Sequence, residues 1–347
     1  MAEGNGGVLK VAILEENKQP GVHYAFTEDG IELPVVDVTH PAFALTLSEA
    51  EQRTMLEKFL QEGVPLAGLP KPLRKLFLRF LLRGSILAQG VRKAQGSFMS
   101  GMNTYLLKLG PHMLGSAYTK PIDRQIAAAL PAMAVRLRLQ DVSHLLADSL
   151  LPALSGDPRR PLELINIAGG PAIDSLNALI LLAKHAPGIL AGRAVSIDVL
   201  DLDGSGPTFG EAALAAVSVE GGPLFKSNIA FRHVRYNWAE VVNLKQILHE
   251  ARAKGALVIC SSEGGLFEYG SDEEIEANLR VLRAASEVVA VIGSVTRADE
   301  PMQKLRETST AATRPRGLDI FSRLASKAGW NIARAIERPF SDQVVLT

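Results

Sequence analysis

The sequence predicts an α/β fold: a doubly wound, mostly parallel seven-stranded sheet with a reversed C-terminal hairpin strand, preceded by a mainly helical N-terminal region. Three observations predict it. First, short apolar runs recur after residue 160, namely LELINIA, AVSIDVLDLD, IAFRHVRY, ALVICSS and EVVAVIGSV. They start at intervals of roughly 30 residues with helix-length segments between them, the rhythm of βαβ units buried on both faces. Second, two further runs, NIARAIERP and QVVLT, lie only about ten residues apart, which suits a hairpin and excludes a crossover helix. Third, residues 47–155 carry a different period, with apolar residues three and four apart.

Taken in order, VHYAFTEDGIELPVVDV has β-branched and aromatic residues around Glu28-Asp29-Gly30, and Asp-Gly is a hairpin signal. LSEAEQRTMLEKFLQEG begins at Leu47 or Ser48 and stops at Gly63, as a helix would. KPLRKLFLRFLLRG and the stretch Ile122 to Leu154 repeat the helical pattern. SGDPRRP, residues 155–161, is a turn-rich boundary. It divides the chain into residues 1–155, a helical lid or dimerisation region with an initial hairpin, and residues 156–347, a Rossmann-like domain.

Composition limits the function. The 347 residues hold 37 Lys+Arg and 37 Asp+Glu, so the net charge is zero and nucleic acid is a poor partner. Cys260 is the single cysteine, which excludes an intrachain disulfide and a cysteine-rich metal site. The seven histidines show no metal spacing such as HExxH, so no metal is expected. There is no signal-peptide pattern at the start and no run near the ~18 apolar residues of a spanning helix. The expectation is a soluble, cytoplasmic protein that acts on a small molecule and not at a membrane. Lys71, Arg74, Lys75, Arg79 and Arg83 recur at helical spacing; a solvated basic helix face explains them better than a membrane-surface helix.

The chemistry is expected at the carboxyl ends of the strands. Asn166-Ile167-Ala168-Gly169-Gly170-Pro171-Ala172 is a strand end, a small-residue bend and a helix start, with Pro171 suited to the first helical turn. Such a bend lets a ligand touch the backbone, and the helix start offers free N–H groups; any α/β protein can also use it merely as a tight turn. About 30 residues on, the second run ends in Asp201, with Leu202 and Asp203 after it. An acid there can accept hydrogen bonds from a ribose diol, though a loop Asp is often only a cap. Together the two features point to an adenosine-containing ligand without saying which.

On ELINIAGGPAID, VSIDVLDLDGSG, VRYNWAEV, ICSSEGGLFEYGSDEEIEANLRVL and the closing NIARAIERPFSDQVVLT, residues 162–347 resemble class I S-adenosylmethionine-dependent methyltransferases. EGGLFEYGSDEEI and AVRLRLQD resemble the leucine carboxyl methyltransferase branch more weakly. The family's first motif, Asp-x-Gly-x-Gly-x-Gly, stands here as Asn166-x-Ala168-x-Gly170-x-Ala172. The resemblance implies S-adenosylmethionine as cofactor and methyl transfer to a small-molecule acceptor, with oxygen favoured. It places Asn166, Ala168, Gly169, Gly170 and Ala172 along the methionine part, Asp201 and Leu202 at the ribose, and Asn237 and Trp238 near the adenine. It places Ser261, Ser262 and Glu263 beside the reacting centre. A hydroxyl acceptor needs a general base; the candidates are Glu263, His233 and Tyr269. Each has a plainer role as cap, packed strand histidine or core aromatic. Met99, Met102, Tyr105, His112, Met113 and Tyr118 lie in a glycine-punctuated segment that could cover the cleft, or simply pack. Two alternatives stay open: an NAD(P)-dependent oxidoreductase, against which Gly169-Gly170 lacks G-x-G-x-x-G spacing, and a non-catalytic adenosyl-ligand binder.

Overall fold

A computed structural model describes residues 10–62, 85, 87, 99–115, 120–308 and 312–347. The KPLRKLFLRFLLRG segment with its five basic residues, and Tyr118, lie outside the described residues.

The chain opens with the expected hairpin, β1 (Tyr24–Phe26) against β2 (Glu32–Pro34), and Gly30 in the turn takes a φ of 78° that a side chain would disfavour. Helix α1 (Glu49–Glu62) starts at Ser48, where Ser48 and Glu51 satisfy each other's backbone N–H groups. Next come α2 (Gly101–Lys108), α3 (Pro121–Ala128) and α4 (Leu130–Gly156). The periodic stretch from Ile122 to Leu154 is thus two helices, broken at extended Ala129. Pro131 is the reason: it sits in the first turn of α4, where its missing N–H costs nothing, whereas a continuous helix would need that N–H.

The second part alternates. It runs β3 (Leu162–Ile167), α5 (Ile173–His185), β4 (Ala194–Asp201), α6 (Ser205–Val217), β5 (Asn228–Arg235), α7 (Val242–Ala253), β6 (Leu257–Ser262), α8 (Leu266–Tyr269), α9 (Asp272–Arg283), β7 (Val288–Thr296), α10 (Glu300–Thr308), α11 (Gly317–Lys327), β8 (Ile332–Glu337) and β9 (Ser341–Leu346). The seven-stranded sheet has the order β5-β4-β3-β6-β7-β9-β8. The first five strands pair in parallel, and β9 runs antiparallel to both β7 and β8. The fold class read from the sequence is the one observed. Strands β3, β6 and β9 are buried along their whole length, while edge strands β5 and β8 are largely exposed.

Two apolar clusters cover the two faces of the sheet. One joins Leu164, Ile197 and Ile259 to α4, α5, α6 and to the N-terminal residues Leu33, Val35 and Tyr105. The other joins Ile165, Cys260 and Val291 to α7, α9 and α11. Residues before 156 therefore share one core with the sheet. This also explains why α5 is apolar almost all round: α4 packs along it, Val36 and Val38 of the N-terminal part bond to its Asn177, and Ile173 through Leu182 are all buried. The chain winds outward from β3 through β4 to β5, then returns to place β6 on the other side of β3. The strand order reverses at that point, and the crevice opens beyond the strand ends there. Among the described residues no helix is long and apolar enough to cross a membrane.

Candidate active site

At the carboxyl end of β3 the backbone turns sharply. Ala168, Gly170 and Ala172 have φ values of 56°, 59° and 50°. For the two alanines this is an uncommon, strained backbone region. The bend is fastened at several points. Ala168 N donates to Leu200 O at 2.8 Å, and Gly170 N donates to Asp201 Oδ2 at 3.0 Å. The other oxygen, Asp201 Oδ1, accepts from Asp203 N at 3.0 Å. Burial pushes the Asp201 carboxyl above its usual range, although these two N–H groups oppose the shift.

Three further glycines let other elements reach the bend. A Cβ on Gly101, at the start of α2, would lie 2.5 Å from Gly170 Cα; one on Gly206 of α6 would lie 2.8 Å from the same atom. A Cβ on Gly265 would lie 2.6 Å from Ala168 Cβ. Helix α2 therefore rests directly on the bend, anchored at its start by Ser100, whose hydroxyl accepts from Asn103 N.

Between α2, the bend and the loop after β6 lies a cavity of about 130 Å³. Its walls include Ala168, Gly169, Asp201, Leu202, Tyr236, Trp238, Glu263 and Tyr269, and on the α2 side Met99, Ser100, Gly101, Thr104 and Lys108. The segment read as a possible cover does line the cavity at Met99. Tyr105 from the same segment is core, donating its hydroxyl to Pro34 O at 2.6 Å.

Four buried charges form a cluster at the cavity's edge, and two of them, Lys108 and Glu263, line the cavity. Lys108 Nζ donates to Glu263 Oε2, Arg138 Nε donates to Glu263 Oε1 at 2.7 Å, and Arg138 Nη1 donates to Glu268 Oε1 at 2.7 Å. Burial alone would raise the Glu263 carboxyl, but the Lys108 and Arg138 charges outweigh it and hold it below its usual range. Glu263 is thus a firmly ionised, doubly paired carboxylate, a poor proton acceptor near neutrality. The Tyr269 phenol also faces the cavity, and burial first, then the Glu268 charge, push it up, so it stays protonated.

The remaining candidates lie elsewhere. Asn166 and Ser261 are buried beneath the bend, not along it. Asn166 Nδ2 donates to Asp174 Oδ1 at 2.7 Å and Ser261 Oγ donates to Asp174 Oδ2 at 2.7 Å. Gly170 is held under the packing of α2 and α6, Ala172 is fully buried, and neither lines the cavity. Ser262 Oγ accepts from Leu266 N and holds the start of α8. Asn237 lies in an adjoining surface groove with Leu202, Arg235 and Val242. His233 is exposed on edge strand β5, its Nε2 donating to Asp201 O at 3.0 Å; it supports the Asp201 loop from behind and does not face the cavity. A strand histidine's face depends on which residues its edge strand leaves uncovered, which periodicity does not tell. Lys108, Arg138 and Asp174 carry no sequence motif, and nothing local marks them: Lys108 ends α2, Asp174 lies in the first turn of α5, and Arg138 is one of several charges along α4. Among the described residues no cluster of His, Cys, Asp and Glu could hold a metal ion.

No family model and no curated protein matches the sequence. Solved structures with a similar chain course include a cysteine-to-alanine variant of LepI in complex with SAH and a substrate analogue, at 15% identity over 55% of this chain and 43% of that one, TM-score 0.35. The riboflavin-analogue dimethyltransferase RosA from Streptomyces davawensis is 13% identical over 66% of this chain and 59% of that one, TM-score 0.35. An O-methyltransferase family protein from Burkholderia thailandensis is 12% identical over 66% and 60%, TM-score 0.38. The chain therefore spans between about two fifths and three fifths of the length of these three proteins.

Proposed function

We propose that this chain is a methyltransferase that moves a methyl group from S-adenosylmethionine to a small-molecule acceptor. The single observation that supports the reading most is the hydrogen bond from Gly170 N to Asp201 Oδ2. It joins a left-handed small-residue bend to an acid at the point where the sheet order reverses. The reversed strand β9, which the resemblance also implied, supports the same reading.

The residues present fit such a ligand. Gly169 and Ala168 offer bare backbone, Asp201 a carboxylate at the cavity wall, and Leu202 and Trp238 apolar surface to flank a base. Beneath Gly169, a buried amide oxygen of Asn166 has no hydrogen-bond partner. The cavity of about 130 Å³ is smaller than the ~300 Å³ at the low end of ligand sites, so the Met99–Thr104 arm must move outward to admit the ligand. The arm then acts as a lid, returning to exclude water. When bound, the ligand supplies an already activated methyl on a sulfonium. What the chain supplies is position: α2 and the bend hold one side, and the buried Lys108–Glu263–Arg138 cluster keeps the cavity's edge rigid. An oxygen acceptor is the finer reading, supported by the polar side chains of Thr104, Lys108 and Tyr269 on the cavity wall.

Calorimetry with S-adenosylmethionine, S-adenosylhomocysteine and NAD tests the reading. Binding of the two sulfur nucleosides supports it; binding of NAD alone overturns it in favour of an oxidoreductase. Transfer from labelled S-adenosylmethionine to phenols or carboxylic acids supports the oxygen acceptor, and transfer confined to amines overturns that part. Binding without turnover across the panel leaves a non-catalytic binder.

A further inference from the structure

Away from the cleft, the β1–β2 hairpin and the loop that follows α2 enclose a second cavity of about 400 Å³, which shares no lining residue with the first. Small-molecule sites span about 300–1,000 Å³, so this cavity admits a ligand as it stands. Its floor is apolar and held in place. Met113 and Leu114 are buried, and Pro34 is fixed through its carbonyl, which accepts from the Tyr105 hydroxyl at 2.6 Å. Tyr24 forms one wall. Its phenol oxygen accepts from Gln19 N at 2.8 Å, and Lys18 Nζ lies 5.2 Å from the centre of its ring, so the ring is set before any ligand arrives.

The rim offers donors and no acid. Arg124 of α3 and His112 line it, and both are exposed. The carboxylates nearby in sequence and fold are spent elsewhere. Asp123 accepts from Ser85 Oγ at 2.6 Å and from Leu87 N at 3.1 Å. Glu32 of β2 accepts from Ile13 N at 2.8 Å and from Lys18 Nζ at 3.0 Å. Among the described residues neither Arg124 nor His112 has a hydrogen-bond or ion-pair partner.

We propose that this cavity is a second ligand site, for a small aryl carboxylate. The ring lies against Pro34, Met113 and Tyr24, where an aromatic side chain and a thioether suit it. The carboxylate takes the Arg124 guanidinium, whose fork of N–H groups matches two carboxylate oxygens, and the His112 imidazole supplies a further donor. A neutral ring would leave the guanidinium unanswered, and an inorganic anion would leave the apolar floor wet; only a molecule with both parts answers both surfaces. The site does not depend on the adenosyl-ligand reading.

The test titrates the full chain by calorimetry with 3-phenylpropanoate and its neutral counterpart 3-phenylpropanol. The carboxylate should bind saturably, with a Kd of about 1 mM or tighter, and the alcohol about tenfold more weakly. R124M keeps an apolar stem but removes the fork; it should weaken the carboxylate about tenfold, the scale of one hydrogen bond to a charged group, and erase the difference between the two probes. G115V tests the location without touching charge. Gly115 lines the cavity, and a Cβ there would meet Ile13 Cδ1 at 3.4 Å, an ordinary contact; the branched side chain fills the space and should also weaken the carboxylate. No saturable binding, equal affinity for acid and alcohol, or wild-type affinity in R124M each overturns the proposal. Wild-type affinity in G115V places the probe elsewhere and overturns it as well. If G115V does not fold, R124M decides alone, because Arg124 is exposed and its replacement leaves the core untouched. None of these outcomes bears on methyl transfer, which titration with S-adenosylhomocysteine reads separately.

Discussion

Lys108 is the residue whose removal should be felt most sharply. Its ammonium and the Arg138 guanidinium face the Glu263 and Glu268 carboxylates, so the buried cluster balances at two charges of each sign. The Lys108 side chain is 2% exposed and that of Glu263 0%, so water cannot compensate for a missing partner. Lys108→Met leaves two carboxylates on one guanidinium. Breaking a buried pair from one side costs about 3–5 kcal/mol, a large share of a typical folding stability of about 5–15 kcal/mol. The double variant K108M/E263M leaves the neutral Arg138–Glu268 pair and should recover about 2–3 kcal/mol of that loss, the upper range of coupling between contacting residues. The sign of the pH effect follows. In the folded wild type the Glu263 carboxyl is held below its usual range. Its pairing therefore stabilises the fold above the ordinary carboxyl pKa, and that contribution is lost as pH falls through the lowered folded value. In K108M that carboxyl rises, so the deficit relative to wild type is largest near neutrality and shrinks toward about pH 5. Urea unfolding followed by circular dichroism at both pH values measures this. An unchanged midpoint in K108M, or a double variant that loses the sum of the two single losses, would refute the reasoning.

Other expectations concern the bend and the sheet. Gly101→Ala places a methyl 2.5 Å from Gly170 Cα, a backbone atom that cannot yield; it should cost about 1–3 kcal/mol in urea unfolding and prop α2 off the bend, which protection of α2 amides in hydrogen exchange would register. Asp201→Ala strips the acceptor from Gly170 N and Asp203 N; it should weaken S-adenosylhomocysteine by about 1.5–3 kcal/mol in calorimetry, and wild-type affinity would remove Asp201 from the ligand site. Glu163, buried on β3 beside Asp198, is pushed up to about 8, first by burial and then by its hydrogen bond to Asp198. A raised folded pKa means stability that is complete below the unfolded value near 4.5 and is lost as pH rises toward about 8. Glu163→Gln should therefore gain on wild type as pH increases through that window, and a pH-independent difference in unfolding midpoints would contradict it.

Much of this architecture is written locally. The short apolar runs mark five parallel strands; β3, β4, β6 and β7 are buried, because a strand covered on both faces has no polar side to show, while β5 is an exposed edge. The starts of NIARAIERP and QVVLT lie only about ten residues apart, which admits only a reversed partner, as β8 and β9 confirm. The Ser48–Glu51 and Ser271–Glu274 pairs mark helix starts through contacts three residues apart. The bend at Ala168–Ala172 and the acid at Asp201 are legible for the same reason: each is a property of a strand end. The break at Ala129 is legible only once Pro131 is given its place in the first turn of a helix.

The sequence by itself determined the layers of the fold, the reversal of its last strand and the bend with its acid, since these depend on neighbours within a turn or a pleat. It could not say that Asn166 and Ser261 lie beneath the bend, that His233 faces away from it, or that Lys108 meets Glu263 across 155 positions of chain. Only the tertiary structure decided these. Which face of a strand end meets the crevice, and which charges become partners, depends on how α2, α4 and α5 cross the sheet; that crossing is set by packing between segments remote in sequence, and only packing removes the water that would otherwise make those charges indifferent to one another.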